Sequence, residues 1–230
     1  LLGASSSLAQ TAANVLVVIN ETSPDSVRIG EYYVAKRAIP AENVVRLTTP
    51  AIDDIDRARF EYEVERPISE VLTRHASQDR IVYIVLTKGM PLRVRGSGGL
   101  QGTVAAVDSE LALLYRKLLG VPLPPAGRIP NPYYLGGRGP SEAKRFSHAE
   151  HDIFLVTRLD GFTAQDAIAV VDRAVAPATD GVFVLDQRGS LTGNRIGDDW
   201  LSTAAERLTS DGLTGRVVLE LRRRPLSSRL

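Results

Sequence analysis

Six consecutive apolar residues, at positions 81–86, limit the folds that this chain can adopt. The run is too short to span a membrane, and its side chains do not alternate between apolar and polar. A strand that is buried on both faces, as in the middle of a parallel sheet, has this pattern. We therefore predict an α/β protein in which residues 81–86 form an interior strand with a neighbour on each side.

Apolar runs and helical patterns alternate along the rest of the chain. Ser23-Pro24 predicts the start of a helix over residues 24–37, between strands at 15–19 and 43–47. Further strands are predicted at residues 153–156, 182–185 and 216–221. Because strands and helices alternate, we predict a doubly wound, mainly parallel central sheet with helices on both faces.

The domain organisation follows from the length of the chain and from one irregular segment. With 230 residues, the chain can bury a sizeable core, and residues 14–221 are predicted to form a single α/β domain. Residues 121–150 contain a long insertion that is rich in proline and glycine, and a loop of this length in a compact domain is usually functional or mobile. Residues 222–230 are a basic tail.

The composition argues against several classes of protein. The chain has 28 basic and 27 acidic residues, so no overall field favours nucleic acid, and we expect no nucleic-acid partner. The absence of cysteine excludes disulfides, thiolate metal sites and cysteine nucleophiles in this chain. No stretch has the length of a transmembrane segment.

The first residues suggest export. Their pattern resembles the tail of an apolar segment, and Ser7-Leu8-Ala9 has the small residues that a signal peptidase needs. One interpretation is the remnant of an export signal that is cleaved before Gln10, which makes the protein periplasmic or extracellular. The other is a disordered N-terminal arm over residues 1–13.

Basic residues and glycines directly follow the central run. In an open parallel sheet, ligands bind outside the carboxyl ends of the strands. Lys88, Arg93 and Arg95 could therefore clamp a carboxylate or phosphate of an unknown ligand, or the two arginines could flank a β-hairpin, because apolar residues alternate with them. Residues 96–99 match neither the dinucleotide fingerprint nor a Walker A loop.

Several acidic residues follow predicted strands or begin predicted helices, among them Asp108, Glu110, Asp160 and Asp186. They are candidates for a general acid and base, or for oxygen ligands of a divalent cation. The structural alternative is helix capping and turn formation. Because strand ends share one edge of the sheet, we predict that Asp108, Arg158 and Asp160 meet there, as an ion-pair lock or as a cation site.

Histidines and tyrosines mark a second group of candidates. His148 and His151 have i, i+3 spacing but lack the zincin pattern and a third ligand, so they are weak metal candidates, and no cofactor is predicted. Tyr133 and Tyr134 are the compact aromatic feature of the insertion and are candidate ligand contacts. The chain has no Gly-x-Ser-x-Gly elbow, which argues against Ser-His-Asp catalysis.

Three segments resemble a family of exported bacterial proteins. They are EYYVAKRAIPAENVV at residues 31–45, VDSELALL at 107–114 and LVTRLDG at 155–161. The set is similar to blocks that this uncharacterised family carries in the same order with similar spacing, and the resemblance covers about residues 14–186. It implies an exported α/β domain, and it brings no assigned activity.

A more distant resemblance is to the first α/β subdomain of gingipain-like cysteine peptidases. Asp108, Tyr133-Tyr134 and Arg158 would be the counterparts of an aspartate block, a tyrosine block and a Gly-Arg strand end in that family. There, the nucleophilic cysteine and its histidine lie in the following caspase-like subdomain, and this chain has no cysteine. The resemblance therefore implies the scaffold without the peptidase chemistry.

Two classes of function stay open at this point. One is a binding or structural module of the cell envelope, which uses a peptidase-like scaffold and binds an unknown ligand or envelope partner. The other is a hydrolase that uses acidic residues at the strand ends, with a divalent metal as an option. A structure distinguishes the binding module from the hydrolase by showing whether the candidate acidic side chains converge at one site.

Overall fold

The computed structural model describes residues 10–99, 102–123, 129–136, 142–175, 180–187 and 196–221. Contacts divide the chain into two compact units, Leu1–Val175 and Ala176–Leu230, and each is described by itself. The predicted signal remnant at residues 1–9 and the basic tail at 222–230 lie outside the described residues. The assignment of residues 14–221 to a single domain stays a prediction.

The first unit alternates strands and helices. In chain order they are β1 (Val15–Asn20), α1 (Pro24–Arg37), β2 (Val44–Leu47), β3 (Asp54–Asp56), α2 (Arg57–Arg59), α3 (Arg66–Arg74), β4 (Tyr83–Thr87), β5 (Arg93–Gly99), β6 (Gly102–Ala106), α4 (Val107–Ala112), α5 (Leu114–Leu118), β7 (Leu155–Leu159) and α6 (Ala164–Val175). Four strands form a fully parallel sheet in the order β2-β1-β4-β7. The predicted α/β class with a mainly parallel sheet is confirmed.

The strand β4 is interior, with β1 on one side and β7 on the other. Val85 lies in register with Val17 of β1 and with Thr157 of β7. The strand begins at Tyr83, two residues later than the apolar run, although Ile81 and Val82 are buried. The apolar run therefore marks the buried residues, which begin before the first residue of β4 that pairs with a neighbouring strand.

Helices cover both faces of the parallel sheet. Leu16 and Val18 of β1 pack into a cluster with α3, α4 and α5, whereas Val17 and Ile19 pack toward α1. Ile29 of α1 in turn packs against α6. Each fully buried aliphatic side chain contributes about 1.5–3 kcal/mol, so burial on both faces is the main source of stability for this unit.

The helix α1 has the predicted bounds because its end signals are local. The Ser23 side chain accepts a hydrogen bond from the Ser26 backbone N–H at 3.2 Å, and Pro24 occupies the first helical position. The helix ends before Ala38, which has a φ of 50°. A Cβ at Gly30 would lie 2.5 Å from a side-chain carbon of Ile19, so the glycine lets α1 lie close against β1.

The helical stretch before β4 is divided near Pro67. A π-helical turn (Phe60–Glu65) follows α2, and Pro67 lies in the first turn of α3, where a missing N–H costs little. The apolar residues at helical spacing face the core: Phe60, Val64, Ile68 and Leu72 are buried, and Val71 is partly buried.

A second sheet contains β3, β5 and β6 in that order. β5 and β6 are antiparallel, with Arg93 opposite Ala106, so Arg93 and Arg95 lie in a β-hairpin, and their role as ligand contacts stays a prediction. β3 pairs in parallel with β5, with Asp54 in register with Arg93. No strand is predicted at residues 54–56 from the sequence.

The second unit contains β8 (Phe183–Gln187), α7 (Ile196–Leu208) and β9 (Val217–Leu221). β8 and β9 form a parallel pair. The Gln187 side chain donates hydrogen bonds to the Asp198 carbonyl at 2.8 Å and to Ser202 Oγ at 2.7 Å, which ties β8 to α7. Within the described part of both units, no helix has the length and apolar character that crossing a membrane requires.

Candidate functional site

The carboxyl ends of β1 and β4 form the topological switch point of the parallel sheet, because β2 lies on one side of β1 and β4 on the other. The side chain of Asn20, fully buried, occupies this point. Its Oδ1 accepts from the backbone N–H groups of Thr22 at 3.2 Å and Thr49 at 3.3 Å, and its Nδ2 donates to the Gly89 carbonyl at 2.9 Å. One amide therefore connects the loops that follow β1, β2 and β4.

Two buried hydroxyl groups lie beside Asn20 and are fully engaged. Thr87 Oγ1 donates to the Val18 carbonyl at 2.9 Å, and Ser26 Oγ lies 2.5 Å from Thr87 Oγ1. Because Thr87 uses its proton on the carbonyl, the Ser26 hydroxyl is the donor between them. Ser26 Oγ also accepts from the Asn20 backbone N–H at 2.7 Å. Neither hydroxyl is available as a nucleophile, and sequence reasoning did not single out either residue.

Asp108 and Arg158 meet at the carboxyl edge, as the sequence predicts. Arg158 Nε donates to Asp108 Oδ1 at 2.9 Å and to Oδ2 at 3.0 Å. Its Nη1 donates to the Met90 carbonyl at 3.1 Å, and its Nη2 donates to the Pro91 carbonyl at 2.7 Å. The Arg158 side chain is only 15% exposed, so this guanidinium connects β7, α4 and the loop after β4 from a largely buried position.

Asp160 does not join that pair. Lys88 Nζ donates to Asp160 Oδ1 at 3.1 Å and to the Gly161 carbonyl at 2.6 Å, and Asp160 Oδ1 also accepts from the Gly161 N–H at 2.7 Å. Lys88 thus holds the loop after β7, and the three predicted partners separate into two ion pairs. Lys88 was predicted as a ligand contact, and that role stays a prediction.

Glu110 belongs to a four-membered charge network. Arg57 donates to both of its carboxylate oxygens, at 2.9 and 2.8 Å. Lys117 Nζ lies 3.7 Å from Glu110 Oε2 and 2.5 Å from Glu65 Oε2. Burial raises the pKa of Glu110, but the hydrogen bonds and charge of Arg57, together with Lys117, outweigh it, so the pKa is lowered overall.

Arg93 and Arg95 hold an aspartate that the sequence did not single out. Arg93 Nε donates to Asp54 Oδ1 at 2.5 Å, and Arg95 Nη2 donates to Asp54 Oδ2 at 2.8 Å. These two hydrogen bonds lower the pKa of Asp54 to about 2. The sequence signal for β3 is the short alternation Asp54-Ile55-Asp56, in which Ile55 is buried.

His148 lies at the opposite, amino edge of the sheet. Its ring stacks on Tyr115 with centroids 4.0 Å apart, and its Nε2 donates to the carbonyl of Ile81, which precedes β4, at 2.6 Å. The Tyr115 hydroxyl donates to Asp79 Oδ1 at 2.7 Å. Burial and this hydrogen bond raise the pKa of Tyr115 to about 12. The aromatic candidates are therefore separate from the acids at the carboxyl edge.

The ring of Phe146 lies between the two candidate metal-binding histidines. Its centroid is 5.7 Å from that of His148 and 5.4 Å from that of His151. Tyr133 packs edge-on against both Phe146 and His151. Among the described residues, no group of three histidine, aspartate or glutamate side chains could hold a metal ion.

A small cavity lies beside this aromatic group and has a volume of about 220 Å³. It brings together the predicted ligand contacts Tyr133 and Tyr134 with His151. The full lining is Pro132, Tyr133, Tyr134, Leu135, Glu142, Lys144, Glu150 and His151. The sequence did not predict the charged members, because no periodicity marks the path of the insertion.

The remaining candidate acid, Asp186, lies in the second unit. It is exposed near the end of β8 and in register with Glu220 of β9. Comparisons of the chain with protein-family models, curated proteins and solved structures find no match.

Proposed function

We propose that the protein is an exported binding or structural module on a scaffold related to gingipain-like subdomains, without peptidase chemistry. The observation that carries this proposal concerns the three candidate acids of the first unit. Asp108 is held by Arg158, Glu110 by Arg57 and Asp160 by Lys88. Each carboxylate has a cation of its own chain as its partner.

Such pairing suits a structural role better than acid–base chemistry. A general acid has to carry a proton near neutral pH, and the lowered pKa of Glu110 opposes this. A divalent cation at Asp108 would compete with a guanidinium that already lies 2.9 Å from the carboxylate. We therefore favour an ion-pair lock at Asp108 over a cation site, and a binding module over the hydrolase alternative.

The export and scaffold parts of the proposal rest on the sequence. The site-like Ser7-Leu8-Ala9 and the three blocks that resemble exported bacterial proteins support them. N-terminal sequencing of the protein from its native host tests export. We expect a chain that begins near Gln10, and recovery of the intact protein from the cytoplasm would contradict export.

Substitution of Asp108 by asparagine tests the lock. Loss of a charge-assisted hydrogen bond in this partly exposed pair should cost about 1 kcal/mol of unfolding free energy. The matched control is Glu31→Gln, which removes a more exposed ion pair with Arg46, and here we expect a change within about 0.5 kcal/mol. Urea unfolding followed by circular dichroism measures both. An Asp108→Asn protein as stable as the wild type, or more stable, would favour an acid kept for chemistry.

A further inference from the structure

His148 attaches the end of the insertion to the amino edge of the parallel sheet. Its ring stacks on Tyr115 of α5 with centroids 4.0 Å apart, and it lies edge-on to Phe154 at 5.4 Å. Its Nε2 lies 2.6 Å from the carbonyl oxygen of Ile81, just before the interior strand β4. Because a carbonyl group only accepts hydrogen bonds, Nε2 carries a proton, and Nδ1 is unprotonated in the neutral ring.

The Nδ1 atom of His148 is buried and has no hydrogen-bond partner. In the neutral ring, this position holds only a lone pair. Protonation would place an N–H group and a positive charge there, with neither an acceptor nor water in contact. A buried, unsatisfied donor is unfavourable, whereas the same N–H group is hydrated once the segment leaves the sheet.

The charged residues before β4 do not supply the missing acceptor. Asp79 accepts a hydrogen bond from the Tyr115 hydroxyl at 2.7 Å and is exposed, so solvent screens its charge. Arg80 donates to the Ala13 carbonyl at 2.8 Å, and this hydrogen bond directs its guanidinium toward β1. Neither side chain compensates a proton on His148 Nδ1.

The other neighbouring elements contribute charges that are already paired. Two ion pairs, each with an N–O distance of 2.7 Å, are formed by Arg116 with Asp152 and by Lys144 with Glu150. The ring of His151 is separated from that of His148 by Phe146, whose centroid lies 5.7 Å from that of His148. The field of each ion pair largely cancels, so these groups also leave a proton on Nδ1 uncompensated.

We propose that His148 is a pH-sensitive anchor, which holds residues 146–152 on the amino edge of the sheet at neutral pH and releases them on acidification. Histidine is the side chain that ordinarily changes charge between about pH 5 and 8. The released segment binds a proton at His148 more readily than the docked segment does, so docking is strongest at neutral and alkaline pH and weakens as the pH falls. This anchor does not depend on what the protein binds.

The test is amide hydrogen exchange of the full chain, measured by NMR between about pH 7.5 and 5 and corrected for the intrinsic exchange rate at each pH. The reporters are the amides of Glu150 and His151, which donate to the Ser147 carbonyl at 3.1 and 2.8 Å. Their protection should fall about tenfold or more on acidification, because the released donor regains its hydration. The amide of Val85 in β4 should keep its protection, which distinguishes local release from global unfolding.

Two substitutions remove the titrating ring. His148→Gln supplies an amide N–H group in place of the ring Nε2, and His148→Phe keeps an aromatic ring for the stack on Tyr115. In both variants, the protection of the two reporter amides should no longer depend on pH. The matched control is His75→Gln, which replaces an exposed histidine after α3 and should leave the pH response unchanged.

Protection that is constant with pH in the wild type would overturn the proposal, as would a pH response that persists in both variants. If the variants have already lost protection at neutral pH, the ring nitrogen chemical shifts of the wild type decide. Loss of protection should have the same midpoint as protonation of the His148 ring. Loss of protection while this ring stays neutral would assign the release to another group and overturn the anchor.

Discussion

Removal of Arg57 should expose the cost of the buried charge at Glu110. In Arg57→Met, both hydrogen bonds to the Glu110 carboxylate are lost, while the Glu110 side chain stays only 16% exposed. Breaking a buried pair from one side typically costs about 3–5 kcal/mol. Lys117, 3.7 Å away, still compensates part of the charge, and Arg57 itself is 25% exposed. We therefore expect a loss of about 2–3 kcal/mol of unfolding free energy.

The pH dependence of the same variant gives a second prediction with a defined sign. The pKa of Glu110 is lowered in the folded wild type, so its stabilising contribution is present above the unfolded pKa of about 4.3 and is lost as the pH falls through the folded value. Without Arg57, the pKa of Glu110 should rise, because Lys117 alone then opposes the effect of burial. The stability difference between wild type and Arg57→Met should therefore begin to narrow as the pH falls through the pKa of Glu110 in the variant, and should narrow further down to the lowered pKa of Glu110 in the wild type.

Urea unfolding at pH 7 and at pH 4 measures the loss of unfolding free energy in Arg57→Met and its dependence on pH. The thermal midpoint of this variant should fall by about 5–10 °C. The matched control is the double variant Arg57→Met/Glu110→Gln, which also removes the unpaired charge and should recover part of the lost stability. If Arg57→Met unfolds within about 0.5 kcal/mol of the wild type, the reasoning about a buried, structurally committed carboxylate is wrong.

Three further outcomes are expected. Val85→Asp should fail to fold, because an unpaired charge in the interior strand costs several kcal/mol, and a soluble, cooperatively melting variant would contradict the placement of β4. The Asp54 carboxyl carbon should titrate by NMR near pH 2, and its midpoint should rise in Arg93→Met, whereas an unchanged midpoint would refute the pairing. The Tyr115 phenol should ionise near pH 12 by ultraviolet absorbance, so its contribution to stability is present below pH 10 and is lost as the pH rises toward 12; ionisation at its ordinary value would contradict its burial against Asp79.

The sequence predicted those parts of the fold that depend on local signals. The start of α1 follows from Ser23-Pro24, and β1 follows from a continuous apolar run in which every residue except Leu16 is β-branched. Asp108 and Arg158 could be placed together because the topology of a parallel sheet brings strand ends to one edge. The capping of α6 by Thr163 and Asp166 is also a local signal, since the two residues have the spacing of a capping box.

The parts that the sequence did not predict depend on contacts between distant residues. Arg57 and Glu110 are 53 positions apart, and no local pattern links them. The insertion carries its tyrosines and histidines to the amino edge of the sheet, away from Asp108, because His148 binds the Ile81 carbonyl. Neither periodicity nor turn chemistry predicts such a path.

The most direct test of the central claim, that the acids at the carboxyl edge are structural, is the melting temperature of the wild-type protein in millimolar calcium or magnesium chloride. Sodium chloride of equal ionic strength is the reference, since it screens exposed charges without supplying a divalent ligand. We predict the same melting temperature in all three salts, because Arg158 and Lys88 already hold Asp108 and Asp160. A rise with calcium or magnesium that Asp108→Asn or Asp160→Asn abolishes would contradict the account and establish a cation site.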